Sequence, residues 1–189
     1  LGFVRRNSGW RRSQVKSVAA DRGYLSEWTG DLSPGNAADL ERPVTSVSRN
    51  AALAYCKAGG KRLPTVDEWE YAAAASETLP DASRDSRFIA RLVGYYTSRS
   101  SSRVRAVGAG VTNFYGVRDL HELTWEWTAE PEMHHPGGEH HMSCASAAIG
   151  AADPTNYPAF MRFAVRSGLD SHDTLKTLGF RCASNLSTT

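Results

Sequence analysis

Apolar positions recur at helical spacing most clearly between residues 44 and 76. Ser48 is a typical N-cap residue, Ala52 and Cys56 fall on one helical face, and Gly59-Gly60 interrupts the pattern. Glycine pairs commonly follow the last turn of a helix. The pattern therefore predicts a helix that begins after Ser48 and ends at Gly59.

A second helix is predicted directly after the connector ending at Pro64. Thr65 followed by Glu68 has the spacing of a capping box, and Trp69 and Ala73 continue an apolar stripe. The segment 85–96 predicts a third helix. Its inward positions would be Phe88 and Leu92.

The rest of the chain carries weaker patterns. A faint helical pattern covers 13–28, Val44–Val47 is a short extended run, and 97–110 is rich in Ser, Arg and Gly, which favours a solvated loop over a phosphate-gripping one. Beyond it, short apolar runs are separated by Gly, Pro, Asp and His. We predict an irregular α+β domain with short strands, two or three helices and long loops.

Composition narrows the classes of protein. The 189 residues are 41% hydrophobic, which suits one folded domain over 1–189. The 22 basic and 20 acidic residues give a net charge of +2, which argues against nucleic acid as the main partner. No apolar run is long enough to span a membrane. Three cysteines without a CxxC pair do not make a zinc ribbon or a disulfide scaffold.

Three strings, in this order, carry a family resemblance. Residues 42–71 read RPVTSVSRNAALAYCKAGGKRLPTVDEWEY, residues 113–128 read NFYGVRDLHELTWEWT, and residues 178–183 read LGFRCA. Together they resemble the formylglycine-generating enzyme family, also called sulfatase-modifying factors. The resemblance implies a compact fold related to C-type lectins. The family is functionally mixed, so its name implies the fold better than the activity.

The resemblance also implies a loss of the family's copper site. Formylglycine-generating oxidases bind copper(I) through a cysteine pair just before the segment that matches 159–166 here. Asp153 and Pro158 stand at the two cysteine positions, and Cys144 is the only cysteine in this region. Soft thiolates are what select copper(I). We therefore expect the standard oxidase activity to be absent.

The other two cysteines match a disulfide pair of the family. These are Cys56 and Cys182, and a bridge between them would imply export. A second family disulfide would fall at Ala73 and Phe163, where both cysteines are missing together. The alternative is that Cys56 and Cys182 are buried thiols in a reducing cytosol. The chain begins at Leu1 rather than Met, so we expect an export signal to have been removed already.

A calcium site is implied by the family's HGNxWEW motif, which reads HELTWEW at 121–127 and so lacks the glycine and asparagine. Oxygen ligands of this kind suit a hard cation. The alternative is a loop held by hydrogen bonds. The implied ligands are the side chains of Asp119 and Glu126 and the carbonyls of Glu122 and Thr124.

The segment 133–142 is nearly a palindrome about a Pro-Gly-Gly turn. Folded as a hairpin with the loop 136–139, it would gather thioether, imidazole and thiol groups on one face, a set that favours copper, although zinc also accepts His and Cys. A solvated His-rich turn and an inert Cys144 are the alternatives. The candidate copper ligands are Met133, His135, His140, Met142 and Cys144.

These observations favour an exported maturation or assembly factor for another protein, and that partner could be a copper enzyme. The sequence 146–169 is most similar to the accessory proteins found with copper nitrite reductases. One alternative is a metal-dependent oxidoreductase that uses O₂, with Cys144 as its candidate catalytic residue. Another is a non-catalytic, lectin-like binding module. Arg162, Arg166 and Arg181 near the expected pocket would form ion pairs or, alternatively, bind an anion.

Overall fold

The computed structural model describes residues 1–35, 40–97, 105–129 and 156–185. Five α-helices, a 3₁₀ turn at Ser8–Trp10 and a two-stranded sheet lie in these ranges. They are α1 (Gly2–Arg6), α2 (Arg49–Ala58), α3 (Val66–Ala73), α4 (Ser86–Thr97), β1 (Trp125–Trp127), α5 (Tyr157–Ser167) and β2 (Leu178–Phe180). Long irregular segments connect these elements. The described chain combines helices with a small sheet, so the predicted α+β class is confirmed.

Helix α2 begins and ends where the sequence predicts. The Ser48 hydroxyl accepts a hydrogen bond from the Ala51 N–H and donates one to the Ala19 carbonyl at 2.7 Å, so the cap also ties α2 to the N-terminal segment. At the other end, the Gly59 N–H bonds back to the Cys56 carbonyl. Ala52 and Cys56 are buried on the inward face.

Helix α3 has the predicted capping box. The Thr65 hydroxyl accepts from the Glu68 N–H, and the Glu68 carboxylate accepts from the Thr65 N–H at 2.9 Å. The same carboxylate pairs with Arg62, and these hydrogen bonds lower the pKa of Glu68 to about 2. Trp69 and Ala73 face inward. Glu70, the residue after Trp69, lies beside α5 and pairs there with Arg162.

The sheet is small but joins distant parts of the chain. Strands β1 and β2 run parallel with Trp125 opposite Leu178 and Trp127 opposite Phe180. Gly179 allows the close approach, because a Cβ there would lie 2.7 Å from the Val44 carbonyl oxygen. Beneath the sheet, Trp127 and Leu178 pack in one core with residues of α2 and the disulfide. The sheet thus fixes the Trp-Glu-Trp segment against the C-terminal part of the domain.

A disulfide bridge joins Cys56 to Cys182, with the two Cα atoms 5.6 Å apart. The pairing implied by the resemblance is therefore present in the structure. Cys56 is almost completely buried in the core beside Ala52 and Leu63. The bridge connects the end of α2 to the chain just after β2.

Several sequence expectations were wrong. The segment 13–28 forms successive turns instead of a helix, and Val44–Val47 forms no strand, since Ser46 adopts a left-handed φ of 53°. The described part of the chain has more than the two or three helices expected, because α1 and α5 were not foreseen. Helix α4 agrees with its prediction to within a residue and buries Phe88 and Leu92.

Among the residues that the structure describes, none of the helices has the length and apolar character needed to cross a membrane.

Candidate functional site

A cavity of about 280 Å³ opens between α3, α5 and β1, with Tyr96 of α4 on its wall. Its walls are mainly apolar and aromatic, and three arginines lie among them. We call it the arginine pocket. Its principal lining residues are Arg49, Trp69, Tyr96, Leu120, Trp125, Glu126, Arg162, Phe163, Arg166, Ser167 and Leu178.

Arg162 is the more deeply buried arginine of the pair on α5, with 8% of its side chain exposed. Its Nε and Nη2 donate to the Glu70 carboxylate, the latter at 2.6 Å, and its Nη1 lies 3.5 Å from the Tyr96 hydroxyl. The guanidinium also lies over the Trp69 ring, 5.5 Å from its centroid. A buried arginine needs such partners, because an unpaired charge in a low-dielectric site is costly.

Arg166 lies one helical turn further along α5 and shares the same carboxylate. Its Nη1 donates to Glu70 at 2.6 Å, and its guanidinium covers the Trp69 ring at 4.9 Å. Both arginines line the cavity, whereas Glu70 does not. Burial raises the pKa of Glu70, but the hydrogen bonds and charges of Arg162 and Arg166 outweigh burial and hold that pKa below its usual value. Glu70 is therefore ionised at neutral pH.

Ser167 follows Arg166 on the wall of the arginine pocket. Its Oγ is buried and has no hydrogen-bond partner among the residues that the structure describes. Buried hydroxyl groups without a partner are uncommon in folded proteins. This atom therefore marks a polar point that the described residues leave unsatisfied.

A second ion pair lies at the arginine pocket, between Glu126 and Arg181. Glu126 accepts from Arg181 Nε at 2.6 Å and Nη2 at 2.8 Å, and from the Trp69 indole N–H at 2.8 Å. Only 8% of the Glu126 side chain is exposed. Three N–H groups donate to this carboxylate, which therefore links β1 to Trp69 of α3 and to Arg181.

The residues implied as calcium ligands lie in two separate hydrogen-bonded arrangements. The Asp119 carboxylate accepts from the N–H groups of Gly108 and Gly110, and Glu122 pairs with Arg105. Glu126 is bound by Arg181, as described above, and a guanidinium so close repels a cation. Within the described ranges, no three His, Cys, Asp or Glu side chains are grouped to hold a metal. As arranged here, these side chains do not fit a calcium site, and calcium binding stays a prediction.

Pro158 stands where the resemblance places one copper-binding cysteine. It lies in the first turn of α5 and is fully buried. Asp153, at the other cysteine position, lies outside the described residues, as do the proposed copper ligands Met133, His135, His140, Met142 and Cys144. Copper binding by that segment also stays a prediction.

Sequence reasoning identified Arg162, Arg166 and Arg181 and left open whether they form ion pairs. All three form ion pairs in the structure. It missed Glu70 and Ser167, and it missed α5 itself. The signals were present: Asn156 caps the helix, Pro158 lies in its first turn and Gly168 follows its end.

Comparison with known proteins gives a consistent result. The family model described as "Sulfatase-modifying factor enzyme 1-like domain" matches residues 13–186. The chain is 33% identical over 172 residues to "Inactive C-alpha-formylglycine-generating enzyme 2" of Mus musculus, covering 84% of this chain and 54% of that protein. It is 31% identical over 172 residues to "Formylglycine-generating enzyme" of Mycobacterium tuberculosis, covering 76% and 57%.

A more distant similarity is to "Hercynine oxygenase" of Mycolicibacterium smegmatis, at 33% identity over 147 residues, covering 68% of this chain and 31% of that protein. The chain spans about half the length of the first relatives it matches. The family model covers nearly the whole chain, and the capping box, the Trp-Glu-Trp strand and the disulfide all lie within it. The chain therefore belongs to the formylglycine-generating enzyme, or sulfatase-modifying factor, family.

Proposed function

We propose that this protein is an accessory factor in the maturation or assembly of another protein and lacks the cysteine-oxidising activity of the standard family enzymes. One observation carries the proposal. The chain has three cysteines, and the disulfide takes up Cys56 and Cys182. One cysteine, Cys144, remains. These 189 residues therefore offer no second free cysteine for a copper(I) site of two thiolates, which supports the proposed loss of oxidase activity.

The mouse relative, which is named as an inactive formylglycine-generating enzyme, supports the same proposal. Without a reactive cysteine pair, such a scaffold would act by binding a partner polypeptide. The arginine pocket is the binding site we propose for a segment of the partner protein. Its volume of about 280 Å³ suits one or two side chains rather than a large cofactor.

Export, copper handling and a lectin-like single domain belong to the same proposal. The disulfide supports export, because such bridges persist in oxidising compartments such as the periplasm. Copper would be held by the His- and Met-rich segment 133–142 together with Cys144 and passed to a metalloenzyme partner.

The experiment is anaerobic copper(I) titration of the untagged protein, followed by oxygen uptake with a cysteine-containing sulfatase peptide. We expect no peptide-dependent oxygen uptake, with or without copper. We expect copper(I) binding to weaken in His135→Ala/His140→Ala and in Cys144→Ser, and to be unchanged in the control His172→Ala, whose side chain is exposed. Copper-dependent conversion of the peptide cysteine to an aldehyde would overturn the proposal.

A second candidate function is a metal-dependent oxidoreductase that uses O₂. The similarity to a protein named hercynine oxygenase favours it. The same titration separates the two functions if iron(II) is tested beside copper. Oxygen uptake with iron(II) and a thiol, lost in His135→Ala/His140→Ala, would support the oxidoreductase and displace the accessory role.

A further inference from the structure

The arginine pocket contains more positive than negative charge. Arg162 and Arg166 both contact the single carboxylate of Glu70. Arg162 uses most of its N–H groups on Glu70 and Tyr96. Arg166 donates to Glu70 through Nη1, and its remaining N–H groups make no other hydrogen bond to the described residues. One guanidinium charge at the cavity wall is therefore left without a carboxylate of its own.

Ser167 follows Arg166 on the same wall of the cavity. Its Oγ has almost no accessible surface and no hydrogen-bond partner among the described residues, so its side chain must rotate toward the cavity to reach a ligand. A hydroxyl can donate to an anion while a guanidinium offers two parallel N–H donors. The negative end of the α5 dipole opposes an anion here, but its half charge is smaller than the full charge of Arg166.

The remaining walls of the cavity indicate which chemical group should accompany the anion. Trp69, Trp125 and Leu178 surround the cavity with apolar surface, and Glu126 is occupied by Arg181. A small hydrated anion would leave this surface exposed to water. A carboxylate attached to an apolar or aromatic group would cover it and pair with Arg166 at the same time.

We propose that the arginine pocket binds a carboxylate next to an apolar side chain, through the Arg166 guanidinium and through the Ser167 hydroxyl once its side chain has rotated toward the cavity. This deepens the proposed function and rests on it, since it names the group by which the partner's segment would be recognised. The carboxylate would come from the C-terminus of that segment or from an Asp or Glu side chain. Both sources offer the same chemistry to the pocket.

The test is calorimetric titration of the intact protein with matched probes. Acetyl-Ala-Phe with a free carboxylate is compared with its C-terminal amide, and acetyl-Phe-Glu amide supplies the side-chain source. We expect a carboxylate probe to bind about tenfold or more tightly than the neutral amide, because a charge-assisted pair is lost with the charge. Whichever acid binds more tightly identifies the source.

Variants locate the binding. Arg166→Gln should weaken the carboxylate probe about tenfold and leave the amide unaffected. Ser167→Ala should weaken it a few-fold without loss of folding, since its Oγ has no partner to lose. The matched control is Arg87→Gln, an exposed arginine of α4 outside the pocket, which should bind as the parent does.

Equal affinity for acid and amide, or no binding of either, would overturn the proposal. So would binding that survives both Arg166→Gln and Ser167→Ala. These titrations use no copper, oxygen or partner protein. Their failure would therefore leave the accessory role intact, and a finding of oxidase activity would leave the carboxylate site intact.

Discussion

Ser167 and Ser48 each have a buried hydroxyl group, and the two groups have opposite roles. Within the described part of the chain the Ser167 Oγ has no partner, so its desolvation is uncompensated. The Ser48 Oγ, in contrast, accepts a hydrogen bond from Ala51 and donates one to Ala19. We expect Ser167→Ala to leave the free energy of unfolding unchanged or to raise it by up to about 1 kcal/mol. We expect Ser48→Ala to lower it by about 1–2 kcal/mol.

Urea unfolding of the two variants and the parent measures this difference. A clear loss of stability in Ser167→Ala would show that its hydroxyl has a partner in solution. That result would also count against its availability to a ligand in the arginine pocket.

Glu70 is the single carboxylate that compensates two arginines. Glu70→Gln would leave Arg162 buried without its counter-charge, and breaking a buried pair costs about 3–5 kcal/mol. Since 32% of the Glu70 side chain is exposed, we expect a smaller loss, of about 2 kcal/mol. Thermal unfolding at neutral pH measures it. The control is Glu77→Gln, which breaks an exposed pair with Arg91 and should cost at most about 1 kcal/mol.

The low pKa of Glu70 also predicts a pH dependence. A carboxyl group whose pKa is lower in the folded than in the unfolded state stabilises the fold fully above its unfolded pKa, near 4.5. That contribution is lost as the pH falls through the folded pKa. We therefore expect stability to decline below about pH 4.5 in the parent and to decline less steeply in Glu70→Gln. Parallel acid limbs for the two proteins would contradict this assignment.

At the scale of secondary-structure elements, β1 is held from both sides through Glu126. This side chain bonds Trp69 of α3 and Arg181 beyond β2. Because these contacts do not involve a metal, we expect Glu126→Gln to lower the melting temperature equally in calcium and in a calcium chelator. A loss clearly larger in calcium would instead support the calcium site implied by the family motif.

The elements that the sequence predicted well are those with local signals. Helices α2 and α3 have side-chain caps three residues from their partners, so a short window contains the information. No short stretch of sequence contains the information that would predict the arginine pocket. Its ion pair joins Glu70 to Arg162, and its second wall joins Glu126 to Arg181, so both depend on how distant segments fold together. The turns over 13–28 follow from tertiary bonds as well, such as Asp21 N–H to the His172 carbonyl.

At the scale of the whole molecule, the disulfide predicts how many cysteines a thiol reagent labels before and after reduction. Labelling under native, non-reducing conditions should modify one cysteine, Cys144, or none if that residue is inaccessible, and labelling after reduction and unfolding should modify three. Mass spectrometry of protein taken directly from cells measures both numbers. Three labels before reduction would contradict the bridge and remove the support for export.

Loss of the bridge should also be costly. It closes a loop with a sequence separation of 126 residues, for which the loop-closure entropy corresponds to about 4–5 kcal/mol. We expect a double Cys56→Ala/Cys182→Ala variant to unfold at a markedly lower urea concentration. A near-parental midpoint would show that packing around α2 and β2 suffices without the bridge.

The same bridge has a consequence for how the protein responds to proteases. Most of the arginine pocket, from Trp69 to Leu178, lies between the two bridged cysteines. A protease that cuts the backbone once anywhere in that interval produces a nicked molecule whose two fragments remain covalently joined. Such a molecule would migrate as one band without reductant and as two bands with it. A single cut in this interval therefore does not release either fragment unless the bridge is also reduced.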